Sequence, residues 1–187
     1  VTKARARIVG VALGLTLSGA CATQDTLEME PMHFAVVDNE RGRRVESLDP
    51  ETLFQEGNRA FEAQDFALAA DKYLLVIERF PGSRWEQVAT FNAGLALEKS
   101  GRFAEAVPHF KRMVTLVAGS KDAQDALFRL AASYEGLGDW KAMRAVGDEI
   151  LAPQFAGIAI GDRIAGLAVR GRAAEGLGQL ALAERDY

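Results

Sequence analysis

Cysteine is almost absent from this chain: Cys21 is the only one in 187 residues. That excludes an intramolecular disulfide and any cysteine-built zinc cluster. Histidine is nearly as scarce. His33 and His109 stand alone, neither with a second histidine or a cysteine at metal-ligand spacing, so no metal site is predicted. Aromatic residues make up 8% of the chain and β-branched residues are sparse beside alanine, leucine and glycine. That balance favours helix over sheet. Basic charge is short too: 22 Lys and Arg face 26 Asp and Glu, a formal charge of −4. Lys3, Arg5 and Arg7 all precede residue 21 with no acid beside them, so leaving out these three cations takes −4 to −7 for residues 21–187. Nucleic-acid binding rests on neutralising phosphates, and so acidic a chain is excluded from it.

Long apolar runs are also missing. The main one, residues 8–20, is uncharged and follows the three basic residues, but it is too short to span a bilayer. It ends in small residues, Leu17-Ser18-Gly19-Ala20, directly before Cys21. A charged start, a short apolar stretch and small residues before a lone cysteine resemble a bacterial lipobox. Ser18 stands where an aliphatic residue is commoner. The resemblance implies a lipoprotein signal peptide over 1–20 and acyl chains on Cys21, the route by which the chain would meet a membrane. Several acyl chains, at roughly 0.8 kcal/mol per buried methylene, hold a protein durably. Ala22 rather than aspartate after the cysteine implies, by the same resemblance, the periplasmic face of the outer membrane.

Residues 21–48 show no helical periodicity and read as a lipid-anchored, flexible tether, broken by Pro31 and the Arg41-Gly42-Arg43-Arg44 cluster. A small hairpin around Phe34–Val37 and Arg43–Val45 is the other reading of the same residues.

From residue 49 onward the chain repeats itself. Phe66, Phe103 and Trp140 recur every 37 residues, with Leu180 following after 40. Phe54, Phe91 and Phe128 lie twelve residues before the first three, and Gly57, Gly94, Ala131 and Gly171 lie nine before all four. Three residues after come Ala69, Ala106, Met143 and Ala183; seven after come Tyr73, Phe110, Gly147 and Tyr187. Small residues alternating with rings at fixed offsets let paired helices approach closely. The pattern resembles the tetratricopeptide repeat, and its Pro-Gly-Ser and Ala-Gly-Ser links resemble those of periplasmic TolA-binding-coordinator-like and BamD-like proteins. The implied fold is all-α: a right-handed solenoid of antiparallel helix pairs. It has about four repeats (49–82, 83–119, 120–156 and 161–187), the last incomplete. Met143 and Gly147 predict looser packing in the third.

Helices are expected near 50–63, 66–79, 84–99, 103–117, 121–136, 139–151, 162–177 and 180–187. Asp49-Pro50 supplies a cap and a first-turn proline, and Ser83 to Glu86 has capping-box spacing. Pro153 is expected to close the third unit. Tyr187 falls inside a second helix with no polar capping helix after it, which predicts a longer chain or a partner over that end.

First helices line the concave face of such a stack. The candidate peptide groove therefore comprises Phe54, Asn58, Phe61, Phe91, Leu95, Phe128 and Arg172, with Glu62, Glu98, Asp125, Glu135 and Glu175 making it mildly acidic. The competing reading is that Phe54, Phe91 and Phe128 only stack neighbouring repeats. Catalysis finds no support. Gly136-Leu137-Gly138 and Gly176-Leu177-Gly178 occupy equivalent inter-helix turns and lead into no phosphate-binding Lys-Ser/Thr. His109 reads as a solvated or internally satisfied side chain. Expected, then, is a non-enzymatic scaffold for envelope proteins or peptides, with no cofactor and no small-molecule substrate. The alternative is an accessory repeat module of a cell-envelope enzyme whose catalytic part lies outside this chain.

Overall fold

The computed structural model describes residues 33–39, 42–152 and 159–187, with side chains from Asp49 onward. Cys21, the signal-peptide region and Pro153 lie outside the described residues.

Two antiparallel strands come first: β1 (His33–Asn39) and β2 (Gly42–Leu48), paired from His33 opposite Leu48 to Asn39 opposite Gly42. The flexible tether expected for 21–48 is thereby corrected over these strands, where the hairpin reading holds. Val36 stands opposite Val45 in that register, and β-branched residues suit an extended, paired backbone.

Among the described residues eight helices follow: α1 (Pro50–Glu62), α2 (Phe66–Arg79), α3 (Glu86–Lys99), α4 (Phe103–Leu116), α5 (Lys121–Leu137), α6 (Trp140–Ile150), α7 (Ile160–Gly176) and α8 (Leu180–Asp186). Each packs on the next, and the first helices of successive pairs also meet, α3 against α5 and α5 against α7. This is the solenoid the repeat predicts.

Caps set the helix starts. Asp49 accepts from the Thr52 N–H at 2.7 Å, Asp65 from Leu68 at 3.1 Å, Ser120 from Ala123 at 3.1 Å and Asp139 from Ala142 at 3.0 Å. The capping box at Ser83 does not form. The chain instead turns tightly at 81–85, Trp85 becomes the cap residue without a side-chain bond, and Glu86 accepts from the Gly82 N–H at 2.5 Å. Within each pair the turn passes through the left-handed region at Gln64, Gly101, Gly138 and Gly178. Three of the four are glycine, the residue with no steric penalty there.

The rings seven residues into the second helices fill the seats left by glycines in the first. A Cβ on Gly57 would lie 2.6 Å from the Tyr73 ring, and one on Gly94 2.8 Å from the Phe110 ring. Both rings are fully buried. The fourth pair repeats the arrangement, with a Gly171 Cβ meeting Tyr187 at 3.0 Å.

The third unit departs from this, but not by loosening. Met143 is 2% exposed, and the space over Gly147 is taken by α7: a Cβ there would lie 3.1 Å from the Arg170 Cβ and 3.2 Å from its backbone. The absent ring admits the next helix instead. The glycine turns need a second correction. Gly138 and Gly178 make the turns, whereas Gly136 and Gly176 seat the rings of Phe103 and Trp140 from the preceding unit. The turn alone does not account for them.

Candidate interaction groove

The first helices carry a run of recesses. One of about 430 Å³ is lined by Phe91 and Leu95 of α3 and by Asp125, Phe128 and Arg129 of α5. A second, of about 460 Å³, shares Phe91 and Asp125 with it and extends to Arg84, Val88, Met113 and Asp122. A third, smaller recess of about 180 Å³ shares Phe128 and runs to Val169 and Arg172 on α7. Shared walls make this one continuous groove across three repeats. Val88, Phe91, Leu95, Phe128 and Val169 give it apolar walls between the charged side chains of Asp122, Asp125, Arg129 and Arg172.

The seven groove candidates divide. Phe91, Leu95 and Phe128 are half-buried and line the groove, and Arg172 stands at its far end, paired with Glu135 at 3.1 Å. Phe91 also meets the buried Phe110 ring edge-on at 5.9 Å, so it both stacks repeats and walls the groove. Phe54 is corrected: it is buried, its ring 5.5 Å from Tyr73 and 4.9 Å from Trp85, and it serves the stack. Trp85 in the turn before α3 covers it. Asn58 is likewise engaged, its carbonyl oxygen accepting from the Tyr73 hydroxyl at 2.8 Å. Phe61 packs edge-on against Phe66 at 5.1 Å. The first repeat therefore commits its candidates to contacts within the stack, while Phe91, Leu95 and Phe128 of the second and third line recesses.

Charges on the groove are mostly spoken for. Arg129 meets Glu98 at 3.4 Å, and burial pushes the Glu98 carboxyl above its ordinary range despite that partner. Arg84 holds Glu51 at 2.9 Å and lies 5.0 Å over the Trp85 ring. Asp122 and Asp125 have no ion-pair partner among the described residues. No spacing signal in the sequence separates engaged from free charges, because the partners lie one repeat away. His109 sits half-buried on α4, and burial lowers its pKa, favouring the neutral ring. Among the described residues no cluster of His, Cys, Asp and Glu could hold a metal ion, and no helix is long and apolar enough to cross a membrane.

The tetratricopeptide-repeat family model matches residues 125–146, from the second turn of α5 into α6. Solved structures of the same shape include the MamA protein of Desulfovibrio magneticus, 17% identical with a TM-score of 0.60 over 74% of this chain and 71% of that one. A tetratricopeptide-repeat protein from Parabacteroides merdae is also 17% identical, with a TM-score of 0.59 over 73% of this chain and half (50%) of its own. No curated protein sequence matches the chain. Helix order, glycine–ring seats and structural likeness agree: the chain has a tetratricopeptide-repeat fold.

Proposed function

We propose that the chain is a lipid-anchored interaction scaffold at the periplasmic face of the outer membrane. It recruits or positions envelope proteins through the groove of its first helices, and no catalytic step is assigned to it. The observation that carries the interaction role is the continuous apolar groove shared through Phe91 and Phe128. Stacked repeats present surfaces of this kind to extended or helical segments. The anchor rests on the sequence alone: three basic residues, a short apolar stretch and small residues ending at Cys21.

Two measurements test the two halves separately. Crosslinking from intact envelopes is expected to capture partner proteins with the wild-type chain and to lose them with Phe91→Ala and Phe128→Ala; unchanged capture would remove the groove from the account. Metabolic labelling with a lipid precursor is expected to mark the wild type and not Cys21→Ser. Equal labelling of both would remove the anchor.

A further inference from the structure

We infer that the recess between α3 and α5 selects a polypeptide segment carrying a lysine or arginine directly beside an apolar anchor. The inference rests on the groove reading above and specifies its ligand. Val88, Phe91 and Met113 give the recess an apolar wall, and Val88 is 40% exposed. Asp122 and Asp125 stand on the same recess, one turn apart on α5, and neither makes an ion pair or hydrogen bond among the described residues.

The cations at hand are already engaged. Arg84 is held by Glu51 and Trp85, and Arg129 by Glu98. Two carboxylates without an ion-pair partner thus stand beside an apolar surface, on a recess whose own cation, Arg84, is turned to Glu51 and Trp85. Like charges three residues apart on a helix disfavour each other. The α5 N-terminus compensates Asp122 in its first turn, but that effect fades before Asp125. A cation between the two carboxylates relieves the repulsion, while an adjoining apolar side chain covers Val88 and Phe91.

Extent favours a polypeptide. The recess continues past Phe91 and Asp125 into the next one, so a ligand following the apolar wall crosses repeats. A charge of −7 over residues 21–187 adds long-range attraction for a basic segment.

The test uses the full chain and two short labelled peptides with identical leucine and phenylalanine positions, one with lysine at the flanking positions and its twin with glutamate. Fluorescence anisotropy is expected to show the lysine peptide binding about tenfold tighter, the scale of two partly exposed charge pairs. Asp122→Asn with Asp125→Asn should abolish the preference, and Glu149→Gln, a neutralisation outside this recess, should keep it. Circular dichroism confirms that the helices persist in each variant. Phe91→Ala should weaken both peptides. Equal binding of the twins with loss in Phe91→Ala overturns the charge selection and leaves the groove standing. Binding indifferent to Phe91→Ala overturns both readings. No binding of the lysine peptide overturns the charge selection.

Discussion

The second and third repeats solve the same packing problem in opposite ways. In the second, Gly94 on the first helix yields its volume to the Phe110 ring of its own partner helix. In the third the glycine has moved to the second helix, as Gly147, and Ala131 stands opposite with no ring between them. The space so freed is used outside the pair, where α7 brings Arg170 against Gly147. Close approach is thus a quantity a repeat can assign either within its own hairpin or to its neighbour. Where it is assigned inward, the pair is locked by a ring. Where it is assigned outward, the backbone of the following helix takes the space over the glycine.

Alanine substitutions at the two glycines would break that comparison if it is wrong. Gly94→Ala drives a methyl to within 2.8 Å of a ring that is fully buried and has nowhere to retreat. Overpacking of this kind costs about 1–3 kcal/mol, offset in part by roughly 1 kcal/mol of improved helix propensity. A net loss of up to about 2 kcal/mol is expected in urea unfolding. Gly147→Ala meets Arg170 at 3.1–3.2 Å, a gap that a shift of a few tenths of an ångström relieves, so the loss should be under about 1 kcal/mol. Equal costs would mean that the two glycines do the same job. Adding Phe110→Leu to Gly94→Ala should make the pair less damaging than the sum of its parts, because the strain resides in the ring contact.

Much of this was readable before any coordinates. The helix limits fall within two residues of those expected, because capping residues, turn glycines and the 37-residue period all point to the same register. The small-to-ring offset of 16 residues likewise named the Gly57–Tyr73 and Gly94–Phe110 contacts. What stayed hidden depends on distances between repeats or on one side chain's direction. Phe54 shares its offset with Phe91, yet Trp85 covers the first and no tryptophan covers the second. Asn58 looked free because the Tyr73 hydroxyl that engages it lies on another helix. Ser83 has the spacing of a cap, but the Pro81-Gly82 turn places Glu86 against Gly82 instead.

The turns offer a milder contrast between the first repeat and the other three. Gln64 holds φ of 61° where its counterparts are Gly101, Gly138 and Gly178. A left-handed conformation costs a residue with a Cβ about 1–2 kcal/mol, and glycine's larger unfolded freedom returns part of that. Gln64→Gly is therefore expected to stabilise the chain by about 1 kcal/mol, and Gly101→Ala to destabilise it by a similar amount. Thermal unfolding of the pair checks the sign. If Gln64→Gly were destabilising, contacts of the exposed glutamine would have to outweigh the backbone term.

The smallest expected effect contrasts two carboxylates that shift in opposite directions. The Arg170 guanidinium grips Asp186 with two hydrogen bonds of 2.7 Å and holds its carboxyl below the ordinary value of 3.8. A depressed folded pKa contributes stability that is full above 3.8 and is lost as pH falls below it through the folded value. Glu98 is the reverse case, with burial, only partly offset by Arg129, raising its carboxyl above 4.5. The charged form is the disfavoured one in the fold, so acidification from neutrality relieves a penalty, completely once pH passes below 4.5. Glu98 should therefore contribute a slight rise between neutrality and pH 4.5, and Asp186 a fall at lower pH. The rise is set against the loss that His109 brings below 6.5, as acid forces a proton onto its half-buried ring. Glu98→Gln should remove the rise and keep the fall, and Asp186→Asn the converse. Denaturation midpoints across the acid range measure both, and a rise that survived Glu98→Gln would locate the buried carboxyl elsewhere.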